Sequence, residues 1–589
     1  MKLGPVLICA VAAAVALSSA SPAAAAEACS AGAHTLAPAG SRVYPEMGNG
    51  GYTSVHTEID MVYDASSNEF LEGNHVALTD RAEECLSSLS LDFERSSADK
   101  RLGPSMRVES VEVDGQPAEF EFVQPTYPGD PNGQQDPDPS AHEASEQDPV
   151  GGPEANPLPP ACTPELTSES EPKLSQDGEQ CPANKLLITP PADIPNGSTF
   201  TVTVFYSGRP GVHDDGEGGV DGWFRASDGG FVDTEPVGAE DWMPLNNYPS
   251  QKPTYTFHET VPAGRVAVDN GMLLGSTNNP PDAQFPEGSV TWNWESAAPI
   301  ASYLVQSSVG RYELTEHLGA DGIVYYEAQD ERIPRAQQDR NRRIMNTQEQ
   351  VTEYESRFNG PFPFTSDGSL IGTPVVELGQ EEMQSMISFT EGKIPPKVLW
   401  HENMHQWWGD NVTEAGYGLT FFKEGLAEWA EEFVFPAHKL APAAFNASLV
   451  KQFDKVYARE GDFWETAPSN PYAYNLFGDD DTYIRPAATY EALRQILGET
   501  DFADALQEIQ REYGGSSITE AELEAGFGKW LPNQSTACEA RLGQFFHEWF
   551  DTAYPGGGAK NRPRITGPRL AGEEFYGGEC PAGAPLTAP

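Results

Sequence analysis

The sequence is poor in basic residues. It contains 36 Lys and Arg against 89 Asp and Glu, which gives a formal net charge of −53 at pH 7. Proteins that bind nucleic acid neutralise phosphates with Lys and Arg, so this balance argues against a nucleic-acid partner. A surface of this charge keeps a protein soluble, but it does not by itself select a substrate.

Long apolar runs are also missing after the first residues. The run from Leu7 to Leu17 is too short to span a bilayer, and no later segment is long enough either. Lys2 before this run and the small residues up to Ala26 follow the layout of a secretory signal peptide. We therefore expect residues 1–26 to be removed and the protein to be secreted into the extracellular space without a membrane span.

Cysteine is scarce, with 7 in 589 residues. Removal of the signal peptide would take Cys9 and leave six, an even number that is typical of disulfides in an oxidising compartment. None of these cysteines has the spacing of a zinc site. Several pairings are open, and we favour neighbours in the chain, namely Cys29 with Cys85, Cys162 with Cys181 and Cys538 with Cys580.

Strand patterns come before helical patterns. Between Tyr52 and Tyr206, segments such as Thr199–Val204 alternate apolar and polar residues, whereas helical periodicity begins only after about Arg332. This order predicts an α+β chain in which an antiparallel β domain precedes a mainly helical domain. The predicted divisions are a signal peptide (1–26), a β domain (27–315), a helical domain (316–555) and a Gly- and Pro-rich extension (556–589). Within the β domain, residues 125–180 have the composition of a disordered acidic insertion.

Histidine is rare as well, yet two of the 11 fall in His401-Glu402-Asn403-Met404-His405. On a helix, residues four apart share one face, so His401 and His405 can both face one cation. In an H-E-x-x-H helix of this kind, Glu402 would take the proton of a water molecule at a catalytic zinc. The alternative is a chance pattern of two ordinary histidines.

A catalytic zinc keeps three protein ligands, so two histidines do not complete the site. Glu424 lies in a second predicted helix, Phe421 to Ala430, and would be the third ligand. One helical turn later, Glu428 could accept the other ring N–H of a ligand histidine, although a solvated glutamate is an equal alternative.

The run from His401 to Asp410, the Val412-Thr413 pair and the gap of eighteen residues before Glu424 closely resemble the aminopeptidase N family of zinc metallopeptidases. The resemblance covers roughly residues 50–555. It implies a thermolysin-like, mainly helical zinc peptidase domain that binds one Zn²⁺ per chain. It leaves no counterpart for the family's C-terminal helical domain, so we expect a short form of the family.

Further residues match the family's pattern. Tyr483 stands where the family has a catalytic tyrosine that donates to the oxyanion. The segment that begins at Gly379 occupies the place of the Gly-x-Met-Glu-Asn motif, in which Gly379 and Glu382 would bind the substrate and Glu382 would hold its free α-amine. Glu235 would be a second amine-binding acid. The chain departs from the pattern at Glu381, which replaces Met, and at Arg485-Pro486, where a basic residue is usually followed by Gly.

The resemblance implies a secreted aminopeptidase that removes amino-terminal residues from peptides or proteins, with Glu402 as general base and then general acid. Because the exopeptidase motif is altered, an endopeptidase of the same clan remains an alternative, and so does a non-catalytic binding protein with a peptidase fold. Glu381 and the acidic run Asp479 to Asp481 could also favour basic amino-terminal residues, although a solvated acidic loop is the preferred explanation.

Overall fold

A computed structural model describes residues 29–38, 41, 43–94, 106–123, 185–214, 220–372, 379–531, 534–557 and 561–563. The predicted signal peptide (1–26) and the predicted acidic insertion (125–180) lie outside these residues, as does most of the predicted extension (556–589). The same holds for Cys162, Cys181 and Cys580. Cys29 is bonded to Cys85 as predicted, and Cys538 is also disulfide-bonded.

The first part of the described chain is built from strands. In chain order these are β1 (Ser30–Ala31), β2 (Tyr52–Asp64), β3 (Glu69–Phe70), β4 (His75–Ala82), β5 (Leu86–Asp92), β6 (Arg107–Val113), β7 (Gln116–Pro117), β8 (Glu119–Val123), β9 (Lys185–Thr189), β10 (Thr199–Ser207), β11 (Val212–Asp214), β12 (Val220–Ala226), β13 (Gly229–Asp233), β14 (Thr254–Pro262), β15 (Val266–Asp269), β16 (Met272–Asn279), β17 (Ser289–Ser296), β18 (Ser307–Gly310), β19 (Tyr312–Leu318) and β20 (Val324–Asp330).

The largest sheet has the order β16-β17-β14-β2-β4-β10-β6-β7, and β3 pairs with β2. Its pairs are antiparallel except for β2 with β14, which are parallel. Residues along β2 alternate between buried and less buried positions, as a sheet with one covered face requires. Two smaller sheets, β1-β5-β9-β8 and β11-β12-β13-β18-β15, complete this part.

The second part of the chain is mainly helical. It contains α1 (Arg335–Met345), α2 (Gln348–Asn359), β21 (Ser366–Ile371), β22 (Gln380–Glu381), β23 (Ile387–Phe389), α3 (Pro396–His405), β24 (Val412–Glu414), α4 (Thr420–Glu428), α5 (Pro442–Tyr457), α6 (Arg485–Leu497), α7 (Glu499–Tyr513), β25 (Ser516–Ile518), α8 (Glu520–Gly528) and α9 (Thr536–Phe546). A mixed sheet, β19-β20-β21-β23-β22, joins the two parts. The predicted boundary between residues 315 and 316 falls inside β19. The predicted α+β order is confirmed.

The helices that position the site are buried by a large apolar core around α3, α4 and α6. α3 begins with a proline in its first turn, where the missing N–H costs nothing. Gly425 allows α4 and α6 to approach closely, because a Cβ at this position would lie 2.4 Å from Cβ of Pro486. None of the helices in the described ranges is both long and apolar enough to cross a membrane.

Candidate active site

The three predicted zinc ligands lie together between α3 and α4. Nε2 of His401 and Nε2 of His405 are 3.2 and 3.3 Å from Oε2 of Glu424. Two ligand atoms that are each about 2.0–2.1 Å from one tetrahedral ion are roughly 3.3 Å apart. The three side chains are buried, and their two nitrogens and one carboxylate oxygen are the donor set of catalytic zinc. The described residues therefore fit a zinc ion without rearrangement.

Each histidine is oriented through its second ring nitrogen. Nδ1–H of His405 donates to the carbonyl oxygen of Trp408 at 2.9 Å, which leaves Nε2 to face Glu424. Nδ1 of His401 is 3.1 Å from Oε2 of Glu431 and 3.6 Å from Oε2 of Glu428. The predicted partner Glu428 thus lies near His401, but Glu431, which we did not predict, lies nearer.

Glu431 reaches His401 because α4 continues as a π-helical turn, Trp429–Val434. Lys397 lies on its other side, with Nζ 2.5 Å from Oε1 of Glu431. Burial opposes the charge of this carboxylate, but His401 and Lys397 outweigh burial and lower the pKa of Glu431 to about 2. Glu431 is therefore an ionised carboxylate next to the ligand.

We expect Glu431→Gln to weaken zinc binding about 10- to 100-fold, because it removes the negative charge beside Nδ1 of His401. Glu428→Gln is the matched control, since the same change at 3.6 Å instead of 3.1 Å should weaken binding less. Competition with a chromogenic chelator measures both dissociation constants. An equal loss in the two variants would show that proximity to His401 does not decide the effect.

Glu402 lies on α3 between the two histidines. Its side chain lines the same cavity as the ligands and is 5% exposed. Burial raises the pKa of Glu402 to about 7 in the absence of metal, against the attraction of His401 and His405. A carboxylate with this pKa is suited to accept a proton near neutral pH.

Glu382 and Glu235 face each other across a buried ammonium. Nζ of Lys423 is 2.5 Å from Oε1 of Glu382 and 2.5 Å from Oε1 of Glu235. Gln406, one residue after α3, donates through Nε2 to the carbonyl oxygen of Glu382 at 2.9 Å. The two predicted amine-binding acids therefore lie beside the metal ligands, and Lys423 and Gln406, which we did not predict, hold them there.

Glu381 has a different place from the one we hypothesised. Its Oε1 accepts hydrogen bonds from the backbone N–H groups of Thr234 and Glu235 at 2.9 and 2.8 Å. It does not line the described cavity. The suggestion that Glu381 meets a basic substrate side chain is therefore wrong, because this carboxylate positions the segment that carries Glu235.

Tyr483 lies on a π-helical turn, Asp479–Ile484, just before α6. Its ring centroid is 5.9 Å from that of His401. Arg485, two residues later, is buried, and its guanidinium donates to the carbonyl oxygens of Thr466 at 2.6 Å and Thr552 at 2.7 Å. These bonds anchor the turn on the helical core and thereby fix the place of Tyr483.

The described cavity measures about 410 Å³. It brings together every predicted site residue except Gly379, whose carbonyl oxygen accepts a hydrogen bond from Thr390 at 2.7 Å. Of the predicted acidic run, Asp479 and Asp480 line the cavity and Asp481 does not. Oδ1 of Asp480 forms an ion pair with Nη1 of Arg459 at 2.5 Å. The predicted site residues that line the cavity are Glu235, Glu382, His401, Glu402, His405, Glu424, Glu428 and Tyr483.

Residues 344–549 match the peptidase family M1 domain. Over these residues the chain is similar to M1 peptidases. Aminopeptidase N of Haemonchus contortus is 22% identical to it over 320 residues, which cover 50% of this chain and 31% of that protein. Endoplasmic reticulum aminopeptidase 1 of Mus musculus is 20% identical over 356 residues, 56% of this chain and 36% of its own length. This chain thus spans about a third of each of these two relatives.

Solved structures resemble both parts of this chain. The M1 zinc metallopeptidase from Deinococcus radiodurans shares 19% identity and a TM-score of 0.66, over 90% of this chain and 99% of that one. A mutant of the Deinococcus enzyme bound to a Tyr-Ser-Ala substrate gives the same TM-score and identity over 90% and 100%. At this identity the structures establish the fold. Together with the domain match, they confirm the resemblance to aminopeptidase N family zinc metallopeptidases.

Proposed function

We propose that this protein is a zinc-dependent aminopeptidase that hydrolyses the first peptide bond of substrates with a free amino terminus. The observation that carries the proposal is the position of two acids beside the metal ligands. Carboxylate oxygens of Glu235, Glu382 and Glu424 all lie within 4.8 Å of one another. An α-ammonium bound by Glu235 and Glu382 would lie so close to the metal site that only the first peptide bond reaches it.

The roles of the chain's own groups follow from their places in the cavity. Zinc, when bound by His401, His405 and Glu424, would supply a Lewis acid that polarises the scissile carbonyl and lowers the pKa of water. Glu402 would take the proton of the attacking water and pass it to the leaving amine. Tyr483, whose ring lies 5.9 Å from that of His401, would donate its phenol O–H to the oxyanion as the carbonyl carbon becomes tetrahedral.

The proposal includes one zinc ion per chain, peptide or protein substrates and secretion. Four groups of three described residues could hold an ion, and each of the other three groups shares a residue with His401, His405 and Glu424, which supports one catalytic zinc at that triad. The disulfide between Cys29 and Cys85 supports an oxidising compartment. The net charge of −53 supports peptides over nucleic acids as substrates.

The test is hydrolysis of one peptide series, supplied with free and with N-acetylated amino termini, by the zinc-loaded protein. We expect stepwise release of single residues from the free series alone. Mass spectrometry of the products identifies which bond is cleaved. Internal cleavage of acetylated peptides would instead indicate an endopeptidase. If neither series is cleaved by protein with a full complement of zinc, the non-catalytic alternative replaces the proposal.

A further inference from the structure

Lys423 is a buried lysine at the centre of the acids described above. It lies on α4 directly before Glu424, and none of its surface is exposed. Besides the contacts at 2.5 Å with Glu382 and Glu235, its Nζ is 2.7 Å from Oε1 of Glu424. An ammonium has three N–H donors, and here each can meet a different carboxylate.

The lysine approaches these carboxylates from the protein core. Glu235, Glu382 and Glu424 all line the cavity, whereas Lys423 does not. It contacts Oε1 of Glu235 and of Glu382, so a group that enters from the cavity could use Oε2 of each carboxylate. A substrate amine and the lysine ammonium can therefore contact the same two acids from opposite sides.

The surrounding residues are shaped to admit the lysine stem. Gly409 has a φ of +120°, which disfavours other residues. A Cβ at Gly409 would also lie 3.2 Å from Cδ of Lys423. On another side, Nζ lies 5.1 Å from the ring centroid of buried Tyr303. Such a position over an aromatic ring is favourable for a cation.

We propose that Lys423 is a positioning residue for amino-terminal recognition. Two carboxylates in a buried site repel each other strongly. The ammonium of Lys423 contacts both Glu382 and Glu235 from the protein core and holds the two carboxylates side by side. The pair can then bind a second ammonium, the substrate's α-amine, from the cavity. The contact of Lys423 with Glu424 ties the amine site to a metal ligand. This proposal rests on the proposed aminopeptidase function.

The first variant is Lys423→Met, which keeps most of the buried stem and removes the ammonium. With zinc supplied in excess, we expect zinc content to stay at the wild-type level and KM for a free-amine peptide to rise about 10- to 100-fold, as for the loss of a hydrogen bond to a charged group. The value of kcat should fall much less than KM rises. A wild-type KM in the zinc-loaded variant would overturn the proposal.

Lys423→Ala adds a test by chemical rescue. Alanine leaves space for the missing methylenes and amine, which n-propylammonium reproduces, whereas methionine fills the stem's space. We expect n-propylammonium to lower KM of the alanine variant toward the wild-type value and to leave the methionine variant unchanged. No rescue of a folded, zinc-loaded alanine variant, or equal rescue of both, would contradict a role for the ammonium at this position.

Lys252→Met serves as the control for loss of a half-buried lysine. Nζ of Lys252 donates to the carbonyl oxygens of Asp410 at 2.6 Å and Asn411 at 3.1 Å, and none of its contacts within the described part of the chain is with the three acids. We expect this variant to lower the Tm without the rise in KM and without rescue. If it raises KM as much as Lys423→Met does, the effect is one of general destabilisation and the proposal fails.

A binding measurement separates this proposal from the proposed function. In a Glu402→Gln background, calorimetry compares the Kd of a free tripeptide with that of its N-acetylated form. We expect the free peptide to bind more tightly, and Lys423→Met to remove that difference. A difference that survives Lys423→Met overturns the role of Lys423. If instead the wild-type protein with full zinc cleaves no free peptide, the proposed function fails while the calorimetry still decides the role of Lys423.

Discussion

Glu402→Gln is expected to lower kcat about 100- to 10,000-fold while zinc stays bound, which is the usual contribution of a general base. The amide has nearly the shape of the carboxylate but cannot accept a proton. Glu402 supplies none of the three ligand atoms at the proposed metal position. These atoms belong to His401, His405 and Glu424. The loss should therefore appear in turnover and not in metal content.

The matched control for this variant is Glu428→Gln, which makes the same change in the same cavity. At saturating zinc we expect it to keep most of the wild-type kcat, because Glu428 lies behind His401 and not beside the attacking water. Steady-state kinetics give the kcat of both variants, and metal analysis gives their zinc content. Substantial turnover by zinc-loaded Glu402→Gln would remove Glu402 from the role of base.

Removal of zinc is expected to abolish hydrolysis in proportion to the metal lost. Without the ion, Oε2 of Glu424 faces two imidazole nitrogens at 3.2 and 3.3 Å, and no described group replaces the Lewis acid. A ligand that binds only the folded state stabilises that state. Free zinc at a concentration about a thousand times the Kd should therefore add about 4 kcal/mol to the free energy of unfolding. The Tm should therefore fall on chelation.

The measurement follows residual zinc, hydrolysis and Tm during dialysis against a chelator, and then during zinc addition. Wild-type protein should recover all three. Glu424→Ala should recover neither the activity nor the Tm, because one of the three ligands is missing. Activity that persists in protein shown to be free of metal would contradict the proposed zinc chemistry.

Much of the site could be predicted because its pattern is local. The spacing of His401 and His405 is four residues, and the geometry of any α-helix then puts both on one face. Glu424 followed from the need for a third ligand on a second predicted helix. The resemblance added Tyr483, Glu382 and Glu235, and the structure brings all of these to one cavity.

Other features depended on backbone geometry that no local pattern shows. Glu431 lies nearer to His401 than Glu428 does because α4 continues into a π-helical turn, and a regular helical periodicity gives no sign of such a turn. Glu381 is adjacent to Glu382 in the chain, yet it bonds to the backbone of Thr234 and Glu235 instead of facing the cavity. Neighbouring residues in an extended segment point to opposite sides, and only the packing shows which side is the cavity.

By itself, the sequence determined the order of strands and helices, the zinc-binding pattern and the acidic balance, since each follows from composition or from spacing within one element. The tertiary structure alone decided that Lys423 lies between acids from three distant segments. In the sequence a lysine beside a glutamate looks like an ordinary charged residue of a helix. Lys423 becomes buried and meets these partners only when folding brings residues 235, 382 and 423 together. Their positions along the chain do not indicate that contact.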